Sequence, residues 1–458
     1  MNDELPQGWA EAALPEIAAL NMGQSPPSNT YNTGGHGLPF FQGKAEFGDL
    51  YPMAEKYCSA PTKIAEAEDI LISVRAPVGP TNLCRERSCI GRGLAAIRPR
   101  GEIPTRYLLF YLRSIEAWLA TQGTGSTFTA ISKSDLEELR VRLAPLTEQR
   151  RIVAKLQNLL DRVDACQQRL AKIPKLIKRF RQAVLAAACS GRLTADWREE
   201  NPIIPKAAAR PSPPEDIEIA DLPETWSAGT LNDCCTRIID GNYGADYPKK
   251  DEFLTSGIPF FTSAAIGEDG NVIEGEIKFV SPQKHAVLRK AQSTVGDVIF
   301  TNRGARVGAT AMLLDTRFSV CNIGPQVTRL AANAKVLSPK YLFLWMRAPF
   351  FLSVMKERNG GSAMNFLNLT VTKALPIFLP PLAEQQEIVR RMEALFALAD
   401  QIEARYAKAK AYVDKITPSL LARAFRGKLV PQDPNDEPAT ELLKRIAGLS
   451  PKHNGHEH

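Results

Sequence analysis

Between Pro145 and Leu156 the chain reads PLTEQRRIVAKL, and between Pro381 and Met392 it reads PLAEQQEIVRRM. A phrase spelled twice constrains the fold more than any composition does, because each copy must be built by the same local physics. The repeat is longer than the phrase. Residues 123 to 200 lie on residues 359 to 436 without a gap: Gly125-Ser126 meets Gly361-Ser362, Ile152-Val153 meets Ile388-Val389, and Gly191-x-Leu193 meets Gly427-x-Leu429. Upstream the match continues with small register shifts. LPxxW occurs at Leu5 and at Leu222, LPFF at Leu38 answers IPFF at Ile258, EDILISVRAPVG at Glu68 answers GDVIFTNRGARVG at Gly296, and YLLFYLR at Tyr107 answers YLFLWMR at Tyr341. The chain is therefore two copies of a body followed by a helical segment.

The helical segments carry a narrow apolar seam. In the first copy it runs through Ile152, Leu156, Leu159, Val163, Cys166 and Leu170, and in the second through Ile388, Met392, Leu395, Ala399, Ile402 and Tyr406. Spacings alternating between four and three are those of a coiled coil. Pro145 and Pro381 suit the position before a helix, Glu148 and Glu384 complement its dipole in the first turn, and Thr147 is a candidate cap in the first copy alone. Two seams of equal length predict an antiparallel pair with a pseudo-twofold axis. About 25 residues at about 1.5 Å each give a rod of about 38 Å, close to one turn of B-DNA.

Each body mixes short β-rich runs, such as Ile70 to Val74 and Asp297 to Thr301, with helical stretches beginning at Tyr107, Tyr341 and the serine-capped SKSDLEELRV. The expected class is mixed α/β: two globular domains separated by two long helices. The segments are a first body at 1–144, a helical spacer region at 145–200, a Pro-rich linker at 201–221, a second body at 222–380, a second helical spacer region at 381–430 and a tail at 431–458.

Cysteines at 58, 84, 89, 166, 189, 234, 235 and 321 form no C-x-x-C pair, which predicts reduced thiols. Three of five histidines lie in the terminal HNGHEH, leaving His36 and His285 in the bodies, too few for a histidine-centred site. MNDELPQGWA is no signal peptide and no apolar run reaches membrane-spanning length, so the expected location is cytoplasmic. The net charge of +7 is unevenly placed: residues 145 to 200 hold 12 Lys and Arg against 6 Asp and Glu, and residues 222 to 380 hold 17 against 13. That excess suits contact with phosphates.

In this order and double occurrence, the phrases resemble the DNA-specificity subunits of type I restriction-modification systems. The resemblance spans nearly the whole chain and includes the closing GKLVPQDPNDEPATELLKRI. It implies that each body is a target recognition domain reading half of a split DNA sequence, with the helices fixing the separation. It also implies partners: double-stranded DNA, two adenine-methylating (M) subunits and two ATP-driven restriction (R) subunits. No cofactor is expected on this chain; S-adenosylmethionine, ATP and Mg belong to those partners.

Catalytic signatures point away from an enzyme. Ser25-Pro26-Pro27 starts an amino-methyltransferase tetrad but continues with Ser28, which has no face to stack on an extruded base. Ser212-Pro213-Pro214-Glu215 fails the same way, Asp269 with Glu276-Ile277-Lys278 is a fragment that chance supplies freely, and no phosphate-binding loop occurs. Two alternatives remain: a stand-alone DNA-binding protein of repressor type, for which no short helix-turn-helix signal is present, and the recognition part of a fused methyltransferase or endonuclease.

Base reading needs amide, hydroxyl and cationic side chains on loops. In the first body the candidates are Ser25, Tyr31, Asn32, Gln42, Lys44 and Arg75, and in the second Asn242, Tyr243, Lys249, Lys250, Thr262, Ser263, Arg303 and Arg306. Arg75 and Arg303 occupy equivalent positions, which favours phosphate contact or loop support over discrimination.

Overall fold

The computed structural model describes residues 4–122, 130–203, 206–207, 222–290, 292–358 and 366–449. Most of the linker, the GTGS and NGG phrases and the histidine-rich tail lie outside them. Two compact units emerge, residues 1–171 with 407–458, and residues 172–406. These units divide both helical segments: residues 145–171 belong with the first body, and residues 172–200 with the second.

In the first unit, Ala18–Met22, Leu94–Pro99, Ile70–Ser73 and Thr81–Leu83 form an antiparallel sheet in that order. Every residue of Ile70–Ser73 is buried, which explains its unbroken apolar run. A second, mixed sheet holds Leu38–Phe41 parallel to Ser88–Ile90. The second unit repeats the plan, with Cys235–Asp240, Val327–Ala332, Val298–Thr301 and Thr310–Met312 in one sheet and Ile258–Phe261 parallel to Cys321–Ile323 in the other. Each unit also pairs the strand after LPxxW with the strand before PLxEQ: Ala10–Ala13 with Arg140–Leu143, and Ser227–Thr230 with Pro376–Leu379. The buried Tyr107 hydroxyl donates to the Arg142 carbonyl at 2.9 Å, and Tyr341 donates to Phe378 at the same distance, so one aromatic ties helix to strand in both copies. Ser132 caps Lys133–Glu137, with Asp135 returning a bond to the Ser132 backbone.

Three long helices follow from the seams: Leu146–Leu170, Ile173–Cys189 and Leu382–Ala424. The third spans 43 residues, well beyond the 25 of its seam. Each seam's head is buried inside its own unit. Ile152 and Leu156 join Leu421, Ala424 and Phe425 in the first unit's core. Ile388, Val389 and Met392 join Val184, Leu185, Ala188 and Cys189 in the second. Within the second unit Ile173–Cys189 runs antiparallel to Leu382–Ala424: Arg181 reaches Glu403 at 3.0 Å, and in the short helix Ala195–Glu200 that follows, Asp196 pairs with Arg391 at 2.7 Å and Arg198 with Glu384.

Seam burial is uneven. Val163 and Ala399 are buried, Leu159, Leu170, Leu395 and Tyr406 are half-buried, and Cys166 is exposed. Ile402 departs from the expectation at 42% exposure, because it shares a solvent-facing helix side with Leu398, one turn away. Thr147 is no cap either: Pro145 takes that place without a side-chain bond, and the Thr147 hydroxyl donates to Asp436.

The repeated Glu-Gln pairs are fully buried in both units. Trp9 Nε1 donates to Glu148 at 3.1 Å and Trp226 Nε1 to Glu384 at 2.9 Å. Gln149 Nε2 donates to the Ala144 carbonyl at 2.8 Å, and Gln385 Nε2 to Pro380 at 2.9 Å. The phrase PLxEQ therefore locks a helix onto its own body. Among the described residues no helix is long and apolar enough to cross a membrane, and all eight cysteines are free thiols, six of them buried.

Candidate nucleic-acid interface

In each unit one strand, Leu94–Pro99 or Val327–Ala332, carries its neighbours' ends to a single edge. In the second unit Asp240 and Thr301 end their strands opposite Thr328 and Val327, at the start of this strand. The preceding strand, Cys321–Ile323, ends beside Phe261 because the two run parallel. The loops after Asp240, Phe261, Thr301 and Ile323 must therefore emerge together. The same holds in the first unit for the loops after Met22, Phe41, Ser73 and Ile90.

A matched set of backbone hydrogen bonds fixes this edge. In the first unit Gly23 donates to Leu94, Gln24 to Ile90, Gly91 to Phe41, Val74 to Gly93, Leu94 to Gly91 and Ile131 to Val74, at 2.8–3.1 Å. In the second unit Gly241 donates to Val327, Asn242 to Ile323, Gly324 to Phe261, Asn302 to Gln326, Val327 to Gly324 and Leu367 to Asn302, at 2.8–3.0 Å. Two glycines make the approach possible: a Cβ on Gly23 would sit 2.2 Å from the Gly91 carbonyl, and one on Gly241 would sit 2.0 Å from the Gly324 carbonyl. No side chain fits there.

Around this frame the first unit places Ser25, whose hydroxyl lies 3.4 Å from the Arg92 amide, together with Gln42, Lys44 and Arg75. Lys44 and Arg75 are exposed, and Gln42 is half-exposed. Tyr31 and Asn32 do local work. The Tyr31 hydroxyl donates to Pro26 at 2.7 Å and its ring lies 4.6 Å from that of Phe40, while burial pushes its phenol pKa up. Asn32 accepts from the Gly34 and His36 amides and donates to the His36 carbonyl, closing its own loop.

The second unit gathers Thr262, Ser263, Arg303 and Arg306. Ser263 donates to Gln326 Oε1 at 2.6 Å, and Arg306 donates to the Ala264 carbonyl at 3.2 Å. Arg303 lays its guanidinium over the Phe366 ring at 4.2 Å, a stacking that holds the charge in one place. Tyr243, 65% exposed, carries the Lys290 ammonium 3.6 Å above its ring, and Lys249 and Lys250 are exposed nearby in sequence. Asn242 is a correction. At 4% exposure it is buried, and both its amide nitrogen and Nδ2 point to the Ile323 carbonyl, so it supports the loop.

Two residues absent from the sequence candidates stand at the centre of the edge, Arg92 and Gln326. Both are exposed, in the tight turns Gly91-Arg92-Gly93 and Gly324-Pro325-Gln326. The signal was available: Ile90-Gly91 and Ile323-Gly324 repeat one dipeptide at the end of equivalent strands.

Exposed cations, amides and hydroxyls on rigid turns fit the edges and phosphates of a nucleic acid. Among the described residues no group of three or more His, Cys, Asp or Glu is placed to hold a metal ion.

Comparisons with known proteins agree on one family. The family model described as the type I restriction modification DNA specificity domain matches twice, over residues 6–175 and 223–410. The specificity subunit of the type I restriction enzyme EcoBI of Escherichia coli is 29% identical over 96% of this chain and 91% of its own length. That of EcoDI, also from Escherichia coli, is 28% identical over 97% and 95%. Among solved structures, a chain of a type I R-M system described in terms of complex assembly and conformational transition superposes with a TM-score of 0.71 at 22% identity, over 93% of this chain and all of that one. The HsdS subunit from Thermoanaerobacter tengcongensis gives 0.56 at 21% identity, over 93% and 99%.

Proposed function

Because the chain belongs to the type I restriction-modification DNA specificity family, we propose that it reads a bipartite DNA target as the non-catalytic specificity subunit of such a complex. The observation that carries this reading is a frame held constant while its exposed side chains change. Six equivalent backbone hydrogen bonds support each edge, yet Ser25, Gln42, Lys44 and Arg92 surround the first, and Ser263, Arg303, Arg306 and Gln326 the second. Reading two unlike half-sites calls for this combination, since phosphate contacts can be shared whereas base contacts must differ.

Methylation and cleavage then belong to other chains. Two methylation and two restriction subunits assemble on this one, bringing S-adenosylmethionine, ATP and Mg. The long helices hold the two readers at a set separation, and the complex works in the cytoplasm. The names of the EcoBI and EcoDI relatives, specificity subunits of type I restriction enzymes, support the assignment.

The test is adenine methylation of random DNA by the purified chain alone and by the chain with the products of its neighbouring genes. Methylation only with the partners, at a split target, is the expected outcome. Methylation by the chain alone overturns the non-catalytic assignment, and a continuous target overturns the two-reader assignment.

A further inference from the structure

The turns at the centre of the two edges differ in the side chain that each presents. In the first unit Arg92 stands between two buried glycines, Gly91 and Gly93. Its guanidinium has no hydrogen bond or ion pair among the described residues, and its backbone is pinned through Gly91, Gly93 and the Ser25 hydroxyl. Gly93 has no room to grow, since a Cβ there would lie 2.2 Å from the Gln42 carbonyl, and one on Gly91 would fit tightly, 3.3 Å from the Gln42 Cα. The turn thus offers one long side chain and no other.

In the second unit the same turn presents Gln326. Its backbone carbonyl is held by Asn302 and its side-chain Oε1 accepts from Ser263 at 2.6 Å, while Nε2 makes no bond among the described residues. The Ser263 hydroxyl orients the amide, and Oε1 keeps a second lone pair for another donor. An amide fixed this way offers one donor and one acceptor side by side.

We propose that Arg92 reads a guanine in the half-target of the first body, and that Gln326, oriented by Ser263, reads an adenine in the half-target of the second. A guanidinium matches the paired acceptors O6 and N7 of guanine, and a carboxamide matches N6 and N7 of adenine. Both sit in the turn at the centre of their edge, whereas Lys44, Arg75 and Arg303 stand on the surrounding loops, where a cation suits phosphates. This assignment rests on the reading of the chain as a DNA-specificity subunit.

The test maps the methylated motif of the complete methylating complex carrying wild-type, Arg92→Gln or Gln326→Arg chains. Competition with oligonucleotides holding 7-deazaguanine or 7-deazaadenine at each position of the wild-type motif accompanies it. One guanine in one half and one adenine in the other should each lose affinity when N7 is removed, by less than the roughly five- to 150-fold that a whole bidentate pair is worth. Arg92→Gln should relax or change only the first of these positions and abolish its deaza effect, and Gln326→Arg only the second. A variant that weakens all sequences equally makes its residue a phosphate contact and overturns the assignment. So does an unchanged motif from a variant whose thermal midpoint matches wild type. A wild-type complex without a split motif overturns the specificity reading itself, which is a separate outcome.

Discussion

The indole nitrogen of Trp226 donates to the carboxylate of Glu384 across 158 residues of sequence. Trp9 and Glu148 repeat the contact across 139. This pair explains why LPxxW and PLxEQ occur together in each copy: one supplies the donor, the other the buried acceptor that fastens a long helix to its body. Glu384 does more than Glu148, because the Thr194 hydroxyl donates to it at 2.7 Å and Arg198 pairs with it.

Glu384→Ala should therefore cost more than Glu148→Ala. The first removes the buried acceptor shared by Trp226, Thr194 and Arg198, and although Arg198 keeps the Gly191 carbonyl, two donors are left unpaired in a fully buried place, a loss of about 3 kcal/mol. The second removes a single bond from Trp9, worth about 1 to 2 kcal/mol. Thermal unfolding of the two variants checks the order, and equal midpoints would show that these donors find water instead.

Glu148 and Glu387 should give opposite responses to acid. Burial pushes the Glu148 carboxyl above its usual range, only partly offset by Trp9 and Arg151. A raised folded pKa means that the native state holds its proton longer, so stability falls as pH rises from about 4.5 through that higher value. Glu387 is held down to about 2 by Arg390 and then Arg391, so its contribution is present above about 4.5 and lost as pH falls toward 2. Urea midpoints between pH 2 and 7 should lose the first slope in Glu148→Gln and the second in Glu387→Gln. Either slope persisting in its own variant counts against the assignment.

Much of this was legible in the sequence, for a physical reason. Strand cores such as Ile70 to Ser73 and seam heads such as Ile152 and Ile388 announce themselves through periodicity, which is local. The Glu148 and Glu384 contacts are not local, so a carboxylate that looks like a helix-dipole partner turns out to accept from a distant indole. Asn242 has the composition of a base reader, and only its burial shows that it holds the Ile323 carbonyl. Arg92 and Gln326 sit in three-residue turns too short to stand out as loops. Ile402 has seam spacing but faces solvent, since spacing does not say which stretch of a long helix finds a partner.

Arg75→Ala and Arg303→Ala should weaken DNA binding by the complex alike on all sequences, and each should lower the slope of log affinity against log salt by about 1. The stacking of Arg303 on Phe366 makes a further distinction. Phe366→Ala leaves the charge but frees its position, so it should lower affinity less than Arg303→Ala and leave the salt slope nearly unchanged. Binding titrations from 50 to 200 mM salt check both, and a change of motif in either arginine variant would move that residue to base reading.

The proposed role of the helices as a ruler gives the most demanding test. Adding four residues to both seams inserts slightly more than one turn in each helix, so the apolar side of each stays nearly in register. The added rise is about 6 Å at about 1.5 Å per residue, which matches roughly two base pairs at about 3.4 Å each. Methylation mapping should then return the same two half-sites with an unread spacer longer by about two base pairs, because no residue of either reading edge has changed. An unchanged spacer would mean that something other than the helices sets the distance. Altered half-sites would mean instead that the frames around Arg92 and Gln326 do not fold independently of helix length.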